Sequence, residues 1–112
     1  MNFRNLDVCQ FAVRLLPLAA AISDSLPPRY AALGDQLRRA SLSIPLNVAE
    51  GSGKSTGPDQ RRFYAMARGS AMKCAAILDA CRALALFEEA RADEVDQFLL
   101  STVRMLSKMY RL

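Results

Sequence analysis

The chain has 112 residues, 52% of them apolar and 23% charged, with a net charge of +4 and no histidine. That size and balance fit one globular domain over residues 1–112 and exclude a disordered chain. The absence of histidine removes the commonest general base and metal ligand, while the basic surplus permits attraction to polyanions without requiring it.

Leu6, Cys9, Val13, Leu16 and Ala20 recur at steps of three and four, which predicts a helix over residues 5–25 with Pro17 as an internal kink. The apolar run from Leu15 to Ile22 is too short to span a bilayer. Asp7 and Arg14 interrupt the approach that a signal peptide would need. The expectation is therefore no membrane partner and a cytoplasmic location. Leu26-Pro27-Pro28 breaks the first helix.

A second helix over residues 30–51 carries the stripe Leu33, Leu37, Ala40, Ile44 and Val48. Pro45 is expected to bend it, and Gly51 and Gly53 to stop it. Ser55-Thr56-Gly57-Pro58-Asp59-Gln60 then reads as a helix start. Phe63, Ala67, Ser70, Cys74, Ile77, Cys81 and Leu84 step as a heptad seam, predicting a third helix over residues 58–87, about 45 Å long. Gly69-Ser70 lowers helix propensity there, and close approach of another helix is the expected reason. The last turn falls in residues 88–94, with Asp93 and Glu94 at the start of a fourth helix. Val95, Leu99, Thr102, Leu106 and Met109 form its apolar stripe. No useful β-alternation appears. The fold expected is all-α: an antiparallel up-down-up-down four-helix bundle with a kinked second helix.

Gly53-Lys54-Ser55 matches the end of a phosphate-binding loop, but the leading glycine would fall at position 48, which is valine. A helical pattern precedes it where a strand is needed, so a nucleotide binder is the remote alternative. Cys9, Cys74 and Cys81 are odd in number and lack metal or redox spacing, which argues against a disulfide framework and fits a reducing compartment. Cys74 and Cys81 lie on the seam and read as small core residues. Glu50 has no second acid or base at motif spacing. No nucleophile–base set is visible, so the expectation is a non-enzyme with no catalytic residue, metal or cofactor.

Two groups of polar residues remain. Gln36, Arg39, Ser43, Asn47 and Glu50 form a stripe beside the apolar face of the second helix. It reads either as a solvated flank or as an interface in which Asn47 and Glu50 bond backbone groups freed by Pro45 or residues on a neighbouring helix, with Arg39 or Asn47 able to serve the freed carbonyl. Lys54, Arg61, Arg62, Arg68 and Lys73 crowd one connection and the first half of the third helix, and Arg104, Lys108 and Arg111 share a face of the fourth. A solvated surface is the plain reading. The functional one is a nucleic-acid surface of Lys54, Arg61, Arg62, Arg68, Arg104, Lys108 and Arg111. Aromatic residues are too sparse for a single-strand stacking platform.

The linked segments from Gln36 to Ala40, Ser43-Ile44-Pro45, Asn47 to Gly51 and Ala67-Arg68-Gly69-Ser70 resemble the signature of the four helix bundle protein family. That family includes proteins encoded in intervening sequences of bacterial 23S ribosomal RNA genes, and it has a branch of accessory proteins of diversity-generating retroelements. The resemblance covers nearly the whole chain. It implies an antiparallel bundle assembling as a homo-oligomer, with pentamers among the relatives, and RNA or DNA as a partner in the retroelement branch; it carries no catalytic residue. The family commonly has glutamate where this chain has Lys73. An ion pair of that acid with an arginine such as Arg39 would be lost here.

Overall fold

Helix α1 spans Asp7–Ser25, α2 Ala31–Ser52, α3 Gly57–Ala83 and α4 Glu89–Tyr110, with a 3-10 turn, Pro28–Tyr30, leading into α2. The computed structural model describes residues 6–87 and 89–110, and no strand occurs among them. Packing follows chain order: α1 on α2, α2 on α3, α3 on α4, and α4 back on α1. Among the described residues α1 does not reach α3, nor α2 reach α4, so each of these pairs occupies opposite corners. Register along neighbours runs in opposite senses. Ser43 meets Ser70 and Ser52 meets Tyr64 between α2 and α3, while Arg68 meets Ser107 and Arg82 meets Asp96 between α3 and α4.

Each helix is amphipathic, and the buried stripes make one core. Leu15, Ile22, Leu37, Ile44, Leu78 and Leu106 are among its largest fully buried side chains. Each removes enough apolar surface from water to favour folding by about 1.5–3 kcal/mol. The α2 and α4 stripes lie largely as expected: Leu37, Ala40, Ile44 and Val48 are buried, as are Val95, Leu99, Thr102 and Leu106, while Leu33 and Met109 are half-buried against the core.

The α1 stripe does so only in part. Cys9 is buried as expected and Leu6 packs half-buried against the core, but Val8, Ala12, Leu15, Ala19 and Ile22 carry most of the core face, whereas Val13 is 50% exposed and Leu16 and Ala20 are half-buried. Two apolar phases coexist on this helix, and spacing alone cannot choose between them. For the same reason α1 as a whole is long and apolar enough to cross a membrane, although the run from Leu15 to Ile22 is not. The same helix supplies seven buried residues to the bundle.

Along α3 the expected seam is correct in the middle and wrong at the ends. Ala67, Cys74, Ile77 and Cys81 are buried, but Phe63 and Ser70 are half-buried and Leu84 is exposed. A straight helix drifts about 20° per heptad against a strict seven-residue repeat, so Tyr64 and Ala71 take over at the N-terminal end. Thr56 caps that end by accepting from the Asp59 N–H at 3.3 Å. The other end stops at Ala83, short of the expected residue 87. Leu86 N–H donates to Cys81 O at 3.0 Å and Ala85 N–H to Arg82 O at 2.9 Å, with Ala85 at φ 54°. This is a glycine-type helix stop built with alanine, so it carries no sequence signal.

Pro45 sits in the buried face of an α2 that stays helical through it. It frees the Ser41 carbonyl. Asn47 instead donates its side-chain amide to Ser43 O at 2.8 Å, its natural reach of one turn; Ser41 lies six residues back.

Two glycines of α2 lie under neighbouring side chains. A Cβ at Gly34 would be 2.7 Å from Ser23 Oγ, and one at Gly51 would be 2.7 Å from the Tyr64 ring and 3.1 Å from Gln60 O. Gly69 is different: nothing lies within 4 Å, so the expected close helix approach is absent. Gly69→Ala is therefore expected to stabilise by about 0.5–1 kcal/mol, through lower unfolded-chain entropy. Gly51→Ala should destabilise by about 1–2 kcal/mol, because the buried tyrosine must move. Urea unfolding of the two variants checks both signs.

The three thiols are all buried. Burial raises Cys9 and Cys81, and pushes Cys74 up to about 12 against the opposing pull of Lys73. A raised thiol favours the folded state fully below the unfolded value of 9.0, and this contribution is lost as pH climbs from 9.0 toward about 12. Stability should fall over that window, and less steeply in Cys74→Ala. Melting temperature against pH measures it.

Candidate nucleic-acid interface

The C-terminus of α2, the N-terminus of α3 and the C-terminus of α4 meet at one end of the bundle, and six of the seven candidate cations lie there. Arg111 falls outside the described residues.

The connection after α2 is tied down first. Gly53 N–H donates to the Ala49 and Glu50 carbonyls, Lys54 N–H to Gly51 O at 3.1 Å, and the Gln60 side-chain amide to Lys54 O at 3.0 Å. These bonds aim the Lys54 side chain. Its Nζ lies 3.6 Å from Glu50 Oε2 and 4.9 Å from the centroid of the Phe63 ring. Arg62 places its guanidinium carbon 4.8 Å from the same centroid. Phe63, expected in the seam, instead holds two cations near its ring, each contact worth about 0.5–1 kcal/mol.

Arg61 is half-buried and folds back over Gly57. Arg68 follows it by seven residues, on the same face and about 10.5 Å along the helix. Its Nε donates to Ser107 Oγ at 2.9 Å, crossing from α3 to α4. Exposed Arg104 and Lys108 flank Ser107 on α4. The bundle thus brings Arg68 of one helix to Arg104 and Lys108 of another, 36 and 40 residues away. Lys73, further along α3, is exposed and away from this end.

The polar stripe of α2 divides. Ser43 donates to Ala40 O at 2.9 Å and meets the Ser70 hydroxyl of α3, and Asn47 is half-buried beside it. Gln36 and Arg39 are exposed, and Glu50 is exposed and paired with Lys54. Within the stripe Ser43 reaches a neighbouring helix, whereas Asn47 bonds its own helix and Glu50 the Lys54 side chain. Neither Arg39 nor Lys73 has an ion-pair partner among the described residues.

Sequence spacing missed the arrangement at the opposite end. Arg82 binds Asp79 at 3.2 Å, Asp93 at 3.9 Å and Asp96, joining α3 to α4. Arg38 binds Asp24 and Asp35, each at 2.9 Å, joining α1 to α2, and its hydrogen bond to Asp24 does most to hold the guanidinium above its usual pKa. The i,i+3 pairs Asp35–Arg38 and Asp79–Arg82 were readable from spacing; the partners on other helices were not. Acids thus gather around Arg38 and Arg82 at this end, whereas Arg61, Arg104 and Lys108 make no ion pair among the described residues.

Gly53-Lys54-Ser55 joins two helices, with Val48 buried inside the first, and Lys54 is engaged by Glu50 and Phe63. That geometry lacks the strand-to-helix turn of a phosphate-binding loop. Among the described residues no three His, Cys, Asp or Glu side chains form a metal-binding group.

No curated protein matches the chain. A family model described as 23S rRNA-intervening sequence protein matches residues 4–108, and the chain belongs to that family.

Proposed function

We propose that this chain is a non-catalytic, cytoplasmic homo-oligomer, pentameric by its likeness to relatives, whose basic end binds the phosphate backbone of RNA or DNA. The observation that carries the reading is the convergence of Lys54, Arg61, Arg62, Arg68, Arg104 and Lys108 on one end from three segments of chain. Acids there are few, while those of the other end surround Arg38 and Arg82. Association of the family with 23S rRNA intervening sequences supports a nucleic-acid context. Guanidinium and ammonium groups spread over three segments of chain suit phosphate contact, which fixes position without reading sequence.

Phosphate contact releases counterions, so affinity falls with salt in proportion to the contacts made. With about four contacts, the slope of log affinity on log salt should be about −3 for a single strand. Arg61→Ala with Arg62→Ala should flatten it by about 1–2 while leaving the melting temperature nearly unchanged. Filter binding across a salt series reads this; a flat slope in the wild type, or an unchanged slope in the double variant, overturns the binding surface and leaves a pure scaffold.

Self-association is tested separately. Light scattering at tens of micromolar should give a multiple of the 12.3 kDa protomer mass, five for a pentamer. A monomeric mass overturns the homo-oligomer.

A further inference from the structure

Two exposed apolar surfaces lie on helices at opposite corners of the bundle. On the outer face of α2, Leu42 and Leu46 stand one turn apart at 47% and 56% exposure. Between α3 and α4 runs an open groove of about 350 Å³, lined by Met72, Ala75, Leu99, Leu100, Val103 and Asp96. Met72 and Leu100 are 48% and 47% exposed. One chain cannot join these surfaces, because α2 does not contact α4.

Their flanking charges are complementary in order. Along α2 the sequence is Arg39, Leu42, Leu46, Glu50: cation, two leucines, anion. Along α4 it is Asp96, Leu99, Leu100, Arg104: anion, two leucines, cation. Both helices run from the acid-rich end toward the basic end. Arg39 to Glu50 spans about 16 Å and Asp96 to Arg104 about 12 Å, a difference that long side chains cover.

We propose that the outer face of α2 in one copy seats in the α3/α4 groove of the next, with α2 parallel to α4. Arg39 then meets the Asp96 end and Glu50 meets Arg104. The reverse direction sets Arg39 against Arg104, neither of which has an ion-pair partner among the described residues, and Glu50 against Asp96, which are already paired with Lys54 and Arg82. The occupant is thus a second copy, in one orientation. This deepens the self-association reading and rests on it. The contact is head-to-tail, with every copy pointing the same way, so it closes into a ring or continues as a filament. An α2-on-α2 twofold contact would also pair Arg39 with Glu50, but it would leave the groove and Leu100 uncovered.

Mixing of two variants separates these arrangements. Leu46→Asp spoils the α2 face and leaves the groove intact; Leu100→Asp does the reverse. Each alone should be monomeric, with helical content unchanged by circular dichroism. Mixed in equal amounts, they should form a heterodimer of twice the protomer mass and nothing larger. A mixture that stays monomeric, or either variant keeping the wild-type mass, overturns the assigned surfaces. Should an aspartate variant fail to fold, the exposed charges give a second test. Glu50→Arg or Arg104→Glu alone should weaken association tenfold or more, and the two together in one chain should restore it; no restoration overturns the pairing. A monomeric wild type removes the self-association reading itself, whereas an oligomeric wild type with unaffected variants removes only these surfaces.

Discussion

The seating of Ser23 and Tyr64 against the two glycines of α2 is the constraint on which the rest of the bundle depends. Gly34 and Gly51 stand 17 residues apart, about 25 Å along the helix. At one, Ser23 of α1 lies on the backbone and donates to Gly34 O at 2.8 Å; at the other, the Tyr64 ring of α3 lies on Gly51 with its hydroxyl 3.2 Å from Ser52. One neighbour is thereby fixed at each end of α2. Helix α4 then has only the space between α1 and α3, which it fills through Val95, Leu99, Thr102 and Leu106. Larger residues at either glycine would push a partner helix outward and open the far side of the core.

This arrangement accounts for what the chain does with its polar residues inside the bundle. Ser23 and Ser41 are buried, and both hydroxyls donate to backbone carbonyls; Thr102 does the same to Phe98 O at 2.8 Å. No buried side-chain nitrogen or oxygen lacks a partner among the described residues. A satisfied interior of small hydroxyls and thiols packs well. The thiols are buried with their pKa values raised, which disfavours the nucleophilic thiolate.

Much of the fold was legible because helical periodicity is strong in α2 and α4, where only one apolar phase exists. It failed where two phases compete, as at Val13 and Leu16 against Ala12 and Leu15, since spacing does not reveal which face meets a partner. It failed at the ends of α3 because a strict heptad cannot follow a 3.6-residue helix through 27 residues. Ala85 in a left-handed conformation hid the stop, because the expected residue there is glycine. At the candidate interface, the cluster around Lys54, Arg61 and Arg62 was readable as local sequence. The approach of Arg68 to Ser107 was not, because it depends on the register between two helices. Spacing places Phe63 in the core, yet Lys54 and Arg62 lie over its ring.

The direction of the helices links the two proposed surfaces. Seating α2 of one copy in the α3/α4 groove of another aligns every copy, since α2 and α4 both run toward the basic end. Cyclic association on those terms gathers the Lys54–Arg62 cluster and the Arg68–Lys108 pair of all copies on one face, with Arg104 taken up by Glu50 of the next copy. Phosphate contacts too weak singly then act together, because each contact after the first forms at high effective concentration. The acid-rich ends gather on the other face, where they repel the same polyanion. A twofold contact between antiparallel α2 helices has the opposite consequence, placing one basic end at each extreme of the particle. The polarity of assembly therefore decides whether this bundle presents one broad basic surface or two small ones.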